Sequence, residues 1–195
     1  MPRRRFVFES PSRFVPGTVG EPGNRAFYLQ AKQGRAVLSV ALEKVQVSLL
    51  ADRLGVLLQE IARRGGASIS TEPAAVERDT LPLDEPVVGI FRVGVMTLGW
   101  DATSGDVLIE ARAETGDEPD ADEPDAAEDF EPFTDEEGDE GPDILRVQIS
   151  PAMALTFIER ARRVVAAGRP PCPLCGLPLN PGGHICPRRN GTLLN

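Results

Sequence analysis

The stretch Ile144-Leu145-Arg146-Val147-Gln148-Ile149-Ser150-Pro151 decides how the chain folds, because it predicts a strand that leads directly into a helix. Its first six residues are mostly β-branched and aliphatic, and such residues favour strands. Ser150 is a preferred helix N-cap, and Pro151 falls at the first helical position, where proline is well tolerated. A helix is therefore predicted from Pro151 to about Ala167.

Apolar residues recur in this helix every three or four positions, which predicts one buried face. Its members are Ala154, Phe157, Ile158, Ala161, Val164 and Val165. Arg160, Arg162 and Arg163 are expected near the opposite, solvated face. Gly168 ends the helix.

The same order of elements is predicted earlier in the chain. Strands at residues 5–9, 25–30 and 36–42 precede a helix over 44–64, and residues 10–24 have the proline and glycine content of a loop. Strands at 87–100 and 107–113 then precede the strand at 144–149. Val45-Gln46-Val47-Ser48 and Val147-Gln148-Ile149-Ser150 form a short echo between the two parts.

Two strand-strand-strand-helix half-units follow from this order. They predict an α+β fold in which two helices pack on one face of an antiparallel-dominated sheet. Residues 1–168 are expected to form this body, and residues 169–195 a separate zinc-binding hairpin.

Residues 114–143 form an acidic insertion. They hold 16 of the 30 acidic residues and no lysine or arginine, and the remainder of the chain carries a net charge of +7. Phe130 and Phe133 are its only large apolar residues, so the segment is expected to be disordered. A solvated insertion is the simplest interpretation. An electrostatic mimic of nucleic acid, or a cover over the basic body, is the alternative.

All three cysteines and the only histidine lie within 15 residues near the C-terminus. Cys172, Cys175, His184 and Cys186 have the spacing C-x2-C-x8-H-x-C, which supplies three thiolates and one imidazole. Four such ligands complete a tetrahedral zinc site. An iron–sulfur cluster is the alternative on ligand count.

Neighbouring residues argue against other C-x-x-C chemistry. A c-type haem site needs histidine directly after the second cysteine, where this chain has Gly176. A zinc deaminase needs an upstream H-x-E, and a thioredoxin-like motif opens a helix, whereas this motif follows one. The zinc ion is therefore predicted to be structural.

No catalytic or cofactor-binding residue is predicted. A closed metal site leaves no position for an activated water, and no second histidine remains to act as a general base. The glycine-rich stretch 17–23 lacks the features of a phosphate-binding loop, and Asp84 and Glu85 have the appearance of solvated loop charges.

A soluble, cytoplasmic protein is expected from three features. No secretory signal or apolar run of membrane-spanning length is evident, and the clustered cysteines suit a reducing compartment. The sequence gives no indication of oligomeric state.

Several stretches resemble an uncharacterised family, typical of actinobacteria, known as domain of unknown function 3090. They are residues 13–23, residues 40–44 and the segment from Ala167 through Asn190-Gly191. The resemblance implies a bacterial, cytoplasmic protein and no particular activity.

Three functions remain open. The first is a non-enzymatic zinc-binding adaptor or regulatory module whose partner is another protein. The second is a nucleic-acid-binding protein with an acidic autoinhibitory segment, and the third is an enzyme that uses carboxylates around residues 17–23.

Overall fold

The computed structural model describes residues 2–64, 78–115, 140–168, 172–177, 179, 185, 186 and 188. Within them the elements, in chain order, are β1 (Arg5–Phe8), β2 (Arg13–Glu21), β3 (Asn24–Gln33), β4 (Ala36–Leu42), α1 (Lys44–Arg63), β5 (Gly89–Asp101), β6 (Asp106–Ala113), β7 (Ile144–Ile149) and α2 (Pro151–Ala166). The strands form one seven-stranded sheet in the order β1-β7-β6-β5-β4-β3-β2.

The sheet is mixed. Strands β2-β3-β4 and β5-β6-β7 are two antiparallel groups, but β4 pairs with β5 in parallel and β1 pairs with β7 in parallel. The α+β class is confirmed, and the prediction of an antiparallel-dominated sheet is wrong. The long connection through α1 carries the chain back before β5 begins, and this return allows two sequential strands to run in the same direction.

Strand β2 lies where a loop was predicted. It pairs with β3 along its whole length, from Arg13 opposite Lys32 to Glu21 opposite Asn24. β2 is an edge strand of the sheet, where proline is tolerated, so Pro16 does not interrupt it. Pro22 and Gly23 form the turn, and the φ of +101° at Gly23 suits glycine. Four strands therefore precede α1, instead of the three predicted.

Both helices lie on one face of the sheet, since they contact each other and share a core with it. Ser150 caps α2 as predicted, accepting a hydrogen bond from the backbone N–H of Met153 at 3.3 Å. Phe157 of α2 stacks on Phe14 of β2, with ring centroids 5.2 Å apart. The buried residues of α1 recur along one side of the helix: Val47, Leu50, Ala51, Leu54, Leu58 and Ile61.

The sheet is strongly curved. Its two edge strands, β1 and β2, are joined by residues 9–12 alone. In a flat sheet they would lie roughly 29 Å apart, whereas the connection spans at most about 18 Å. Curvature brings β1 into contact with β3 and leaves the helices on the face that holds the core.

Residues 78–88, here called the crossing segment, return the chain from the helices to β5. At Asp79 the segment contacts Arg160 of α2, and at Asp84 it contacts Gln30 and Lys32 on the opposite face of the sheet. The segment therefore passes around the β2 edge. Residues 65–77, and most of the acidic insertion predicted to be disordered (116–139), lie outside the described residues.

Candidate metal centre

Three cysteines come together after α2. The Sγ atoms of Cys172, Cys175 and Cys186 all lie within 4.8 Å of one another. Cys172 and Cys186 are buried with their Sγ atoms 4.0 Å apart, and Cys175 is half-buried. Zinc bound tetrahedrally at about 2.3 Å from each sulfur would separate the sulfurs by about 3.8 Å. The donors are thus close to the spacing that a metal ion requires.

A tight turn positions the first two cysteines. The backbone N–H of Gly176 donates to the carbonyl of Cys172 at 2.8 Å, and the N–H of Cys172 donates to the carbonyl of Leu177 at 2.7 Å. Gly176 has a φ of +75°, a conformation that side chains disfavour. The turn that the C-x-x-C-G sequence predicts is therefore formed by its own backbone.

The two parts of the cysteine stretch are also tied by a side chain. Arg188 Nη1 donates to the carbonyl oxygen of Leu174 at 3.1 Å. This bond links the residues after Cys186 to the turn between Cys172 and Cys175. It holds the third thiol beside the first two.

The environment of the thiols favours one thiolate. Burial opposes ionisation of Cys172, but hydrogen bonds from the backbone N–H groups of Cys175 and Leu174 and from the thiols of Cys175 and Cys186 together lower the pKa of Cys172. Burial and the nearby Cys172 raise the pKa of Cys175. A cation placed among the three sulfurs would relieve this competition, because thiolates are the form that binds metal.

The fourth predicted ligand, His184, lies outside the described residues. The structure therefore brings together three of the four predicted site residues. Three cysteine sulfurs form a soft donor set, which suits zinc and iron–sulfur clusters better than magnesium or calcium.

A second group of charged side chains was not predicted as a cluster. Arg13 of β2 donates to both carboxylate oxygens of Asp79, at 2.6 and 2.9 Å, and to Asp84 at 3.1 Å. Lys32 also binds Asp84, at 2.5 Å. These contacts join residues far apart in the chain, so sequence spacing gave no signal for them.

Arg160 completes this charged cluster from α2. Its exposed fraction is 5 %, so its predicted place near the solvated face is wrong. Its Nε donates to the carbonyl of Pro16 at 2.8 Å, and its Nη1 donates to Asp79 Oδ1 at 2.6 Å. A buried guanidinium is tolerated because these acceptors replace water.

The charged cluster holds the chain in place rather than surrounding an open site. Hydrogen bonds from Arg13 and Lys32 lower the pKa of Asp79 and of Asp84, respectively. The space in front of Gly17 is filled by Leu83. Residues 17–21 belong to β2 instead of a loop. The nearby carboxylates of Asp79 and Asp84 are bound by Arg13 and Lys32, respectively.

A cavity of about 160 Å³ lies between α1 and α2. Its lining is mostly small and apolar, including Ala51, Ala161, Val165 and Ala166. Asp52 and Arg162 lie at the same place and face each other at 4.0 Å. Ser48 of α1 completes the polar part of the lining.

Fold and site together define a class: an α+β protein with a curved mixed sheet and a C-terminal cysteine cluster able to hold a metal ion. The chain belongs to the family described as "Protein of unknown function (DUF3090)", whose model matches residues 6–186. The match covers the sheet from the second residue of β1 onward, both helices and all three cysteines, and it confirms the resemblance drawn from the sequence.

No curated protein and no solved structure matches the chain. Among the described residues, neither helix combines the length and apolar character that crossing a membrane requires.

Proposed function

We propose that this protein is a non-enzymatic adaptor or regulatory module whose C-terminal stretch holds a structural zinc ion. The observation that carries the proposal is the proximity of three cysteine sulfurs, all within 4.8 Å of one another. His184 supplies the fourth ligand, since its place two residues before Cys186 lets an extended chain present both side chains to one side.

A metal with four protein ligands is coordinatively closed. It has no open position for an activated water, so it organises the chain instead of promoting hydrolysis. With the only histidine of the sequence bound to the metal, no imidazole remains for proton transfer. These points favour a binding role over an enzymatic one.

The partner in this proposal is another protein, and the compartment is the cytoplasm. Reduced cysteines suit a reducing compartment. Leu174, Leu177 and Ile185 are exposed around the cysteine cluster, and a metal ion would fix these apolar side chains as a contact surface for a protein.

Metal analysis of the purified protein tests the zinc assignment. We expect about one equivalent of zinc. Cys172→Ser should lose it, and Leu174→Ser should retain it because Leu174 is exposed and is not a ligand. A folded protein without metal would contradict the proposal. Iron and inorganic sulfide in the purified protein would show that the site holds an iron–sulfur cluster instead of zinc.

Affinity purification from the native cytoplasm tests the adaptor role. A protein recovered with the wild type and with Val56→Ser, which changes an exposed residue of α1 outside the cysteine cluster, but not with Cys172→Ser, would support a metal-dependent contact. Turnover of a small molecule by the purified protein would count against a non-enzymatic module.

A further inference from the structure

The three cysteine sulfurs lie close enough to exchange a metal ion for a disulfide bond. All three cysteines are reduced, and their Sγ atoms lie within 4.8 Å of one another. Cys172 and Cys175 belong to one turn, in which the backbone N–H of Gly176 donates to the carbonyl of Cys172. In a helical turn of this kind, Cα atoms at positions i and i+3 lie about 5 Å apart, which is inside the range that disulfide bonds span. The backbone therefore holds this pair at disulfide spacing.

Exposure differs among the three thiols. Cys175 is half-buried, whereas Cys172 and Cys186 each have an exposed fraction of 6 %. The neighbouring Leu174 and Ile185 are exposed, so the cluster lies at the protein surface. Oxidation of a cysteine depends on access of the oxidant to its sulfur, so a small oxidant encounters Cys175 first.

The cluster is independent of the main core. Neither buried cysteine belongs to the hydrophobic core that the described residues of the sheet and helices share. The stretch is held by contacts of its own, among them the bond from Cys172 N–H to the carbonyl of Leu177 and the bond from Arg188 Nη1 to the carbonyl of Leu174. A change of bonding among the sulfurs therefore alters this stretch without removing a side chain from the core.

We propose that the cysteine cluster is a peroxide-responsive switch, in which hydrogen peroxide joins Cys172 and Cys175 by a disulfide bond and the site releases its metal ion. The inference rests on the function proposed above, because it concerns the regulation of the same site. Metal binding requires thiolates, and the disulfide removes two of the three sulfur donors. Cys186 then remains as the one cysteine thiol.

The reaction takes place in two balanced steps. The Cys175 sulfur attacks one oxygen of hydrogen peroxide, the O–O bond breaks, and the sulfur is oxidised to a sulfenic acid while one water leaves. The Cys172 sulfur then attacks the Cys175 sulfur, the S–S bond forms and the S–O bond breaks, and the hydroxide takes up the proton of the Cys172 thiol to leave as a second water. In the metal-bound form the two protons come from solvent. The two sulfurs lose two electrons, which hydrogen peroxide gains, and a dithiol reductant reverses the change.

The switch acts on the contact surface as well as on the metal. Leu174, Leu177 and Ile185 are the exposed apolar side chains that the bound ion fixes in the proposed adaptor. Leu174 stands between the two cysteines that become linked, so the new bond changes the turn that carries it. Oxidation therefore weakens the binding of a partner protein that recognises these side chains.

Counting thiols and measuring metal release test the switch together. The full chain as purified is treated with hydrogen peroxide, its thiols are counted with a chromogenic disulfide reagent under denaturing conditions, and released zinc is measured with a chromogenic chelator. We expect the thiols to fall from three to one, with loss of the bound metal, and dithiothreitol to restore all three. Alkylation followed by fragmentation mass spectrometry should label Cys186 alone.

Two serine variants form a matched pair, because each removes one sulfur donor from the site. Cys175→Ser removes the accessible thiol and should slow the loss of thiols at least about tenfold. Cys186→Ser keeps the Cys172 and Cys175 pair, so it should still lose two thiols, at a rate no lower than that of the wild type. A difference between the variants therefore reports the position of the thiol rather than a weaker hold on metal.

Three results would overturn the switch: three thiols that persist in peroxide, a disulfide that includes Cys186, or equal rates of thiol loss in the two variants. The metal content before treatment keeps this test separate from the zinc proposal. A chain that holds zinc and keeps its three thiols overturns the switch alone. A chain purified without metal contradicts the zinc assignment and metal release with it, while the thiol count still decides whether Cys172 and Cys175 become linked.

Discussion

Leu83 of the crossing segment lies directly over Gly17 of β2, so closely that a Cβ atom on Gly17 would sit 2.6 Å from Leu83 Cγ. The contact seals the face of β2 and β3 that the helices do not cover. It depends on the absence of a side chain at residue 17, because Leu83 is itself buried.

Gly17→Ala should destabilise the protein by about 1–3 kcal/mol, since the new methyl group must displace Leu83. Gly55→Ala is the matched control: Gly55 lies inside α1 with no atom within 4 Å of an added Cβ, so it should stabilise by up to about 1 kcal/mol. Urea unfolding measures both. Equal effects would show that Leu83 does not press on residue 17.

Asp79→Asn should cost about 3 kcal/mol, because it leaves the buried Arg160 without its anionic partner. Glu60→Gln removes exposed ion pairs with Arg63 and Arg64 on α1 and should change the unfolding free energy by less than about 1 kcal/mol. Denaturant midpoints distinguish the two. A small loss in Asp79→Asn would mean that the backbone acceptors alone satisfy Arg160.

Acid should weaken the fold through the same cluster. Arg13 lowers the pKa of Asp79 and Lys32 lowers that of Asp84, so each carboxylate stabilises the fold above its unfolded pKa of about 3.9. This contribution is lost as pH falls from about 5 through the lowered folded pKa.

The dependence of the unfolding free energy on pH checks this expectation. Asp79→Asn should have a shallower slope below pH of about 4 than the wild type. The slope should not vanish, because Arg4 lowers the pKa of Asp143 and the backbone N–H of Thr103 lowers that of Asp101. Identical slopes would contradict a role for Asp79.

Removing the zinc ion proposed above should affect the C-terminal stretch and leave the sheet intact. The core of the sheet and helices is built without the cysteines. After chelation we expect faster amide exchange between Cys172 and Cys186, with unchanged exchange in β3 and β6. Global loss of protection would show that the metal supports the whole fold.

The helices illustrate what local sequence is able to specify. The apolar stripe of α1 and the Ser150-Pro151 start of α2 predict both elements close to their observed bounds, because capping and periodicity act within a few residues. The proximity of the three cysteines is equally predictable, since the spacing of metal ligands is a local property of the sequence.

Strand β2 shows where local signals mislead. Its Pro16 and Gly17 indicate a loop when composition alone is considered, yet the edge position tolerates the proline and the packing of Leu83 requires the glycine. Arg160 was misplaced for a related reason. Its buried acceptors are the carbonyl of Pro16, 144 residues away in the chain, and the carboxylate of Asp79, 81 residues away.

The sequence by itself determined the α+β class, both helices and a cysteine cluster suited to a metal ion. Only the tertiary structure decided that the sheet is mixed and curved, that the crossing segment passes around β2, and that the buried Glu110 accepts hydrogen bonds from Arg112 and Arg146. The physical reason is range: caps, periodicity and ligand spacing operate between neighbours, whereas strand order and buried ion pairs depend on residues that only folding brings together.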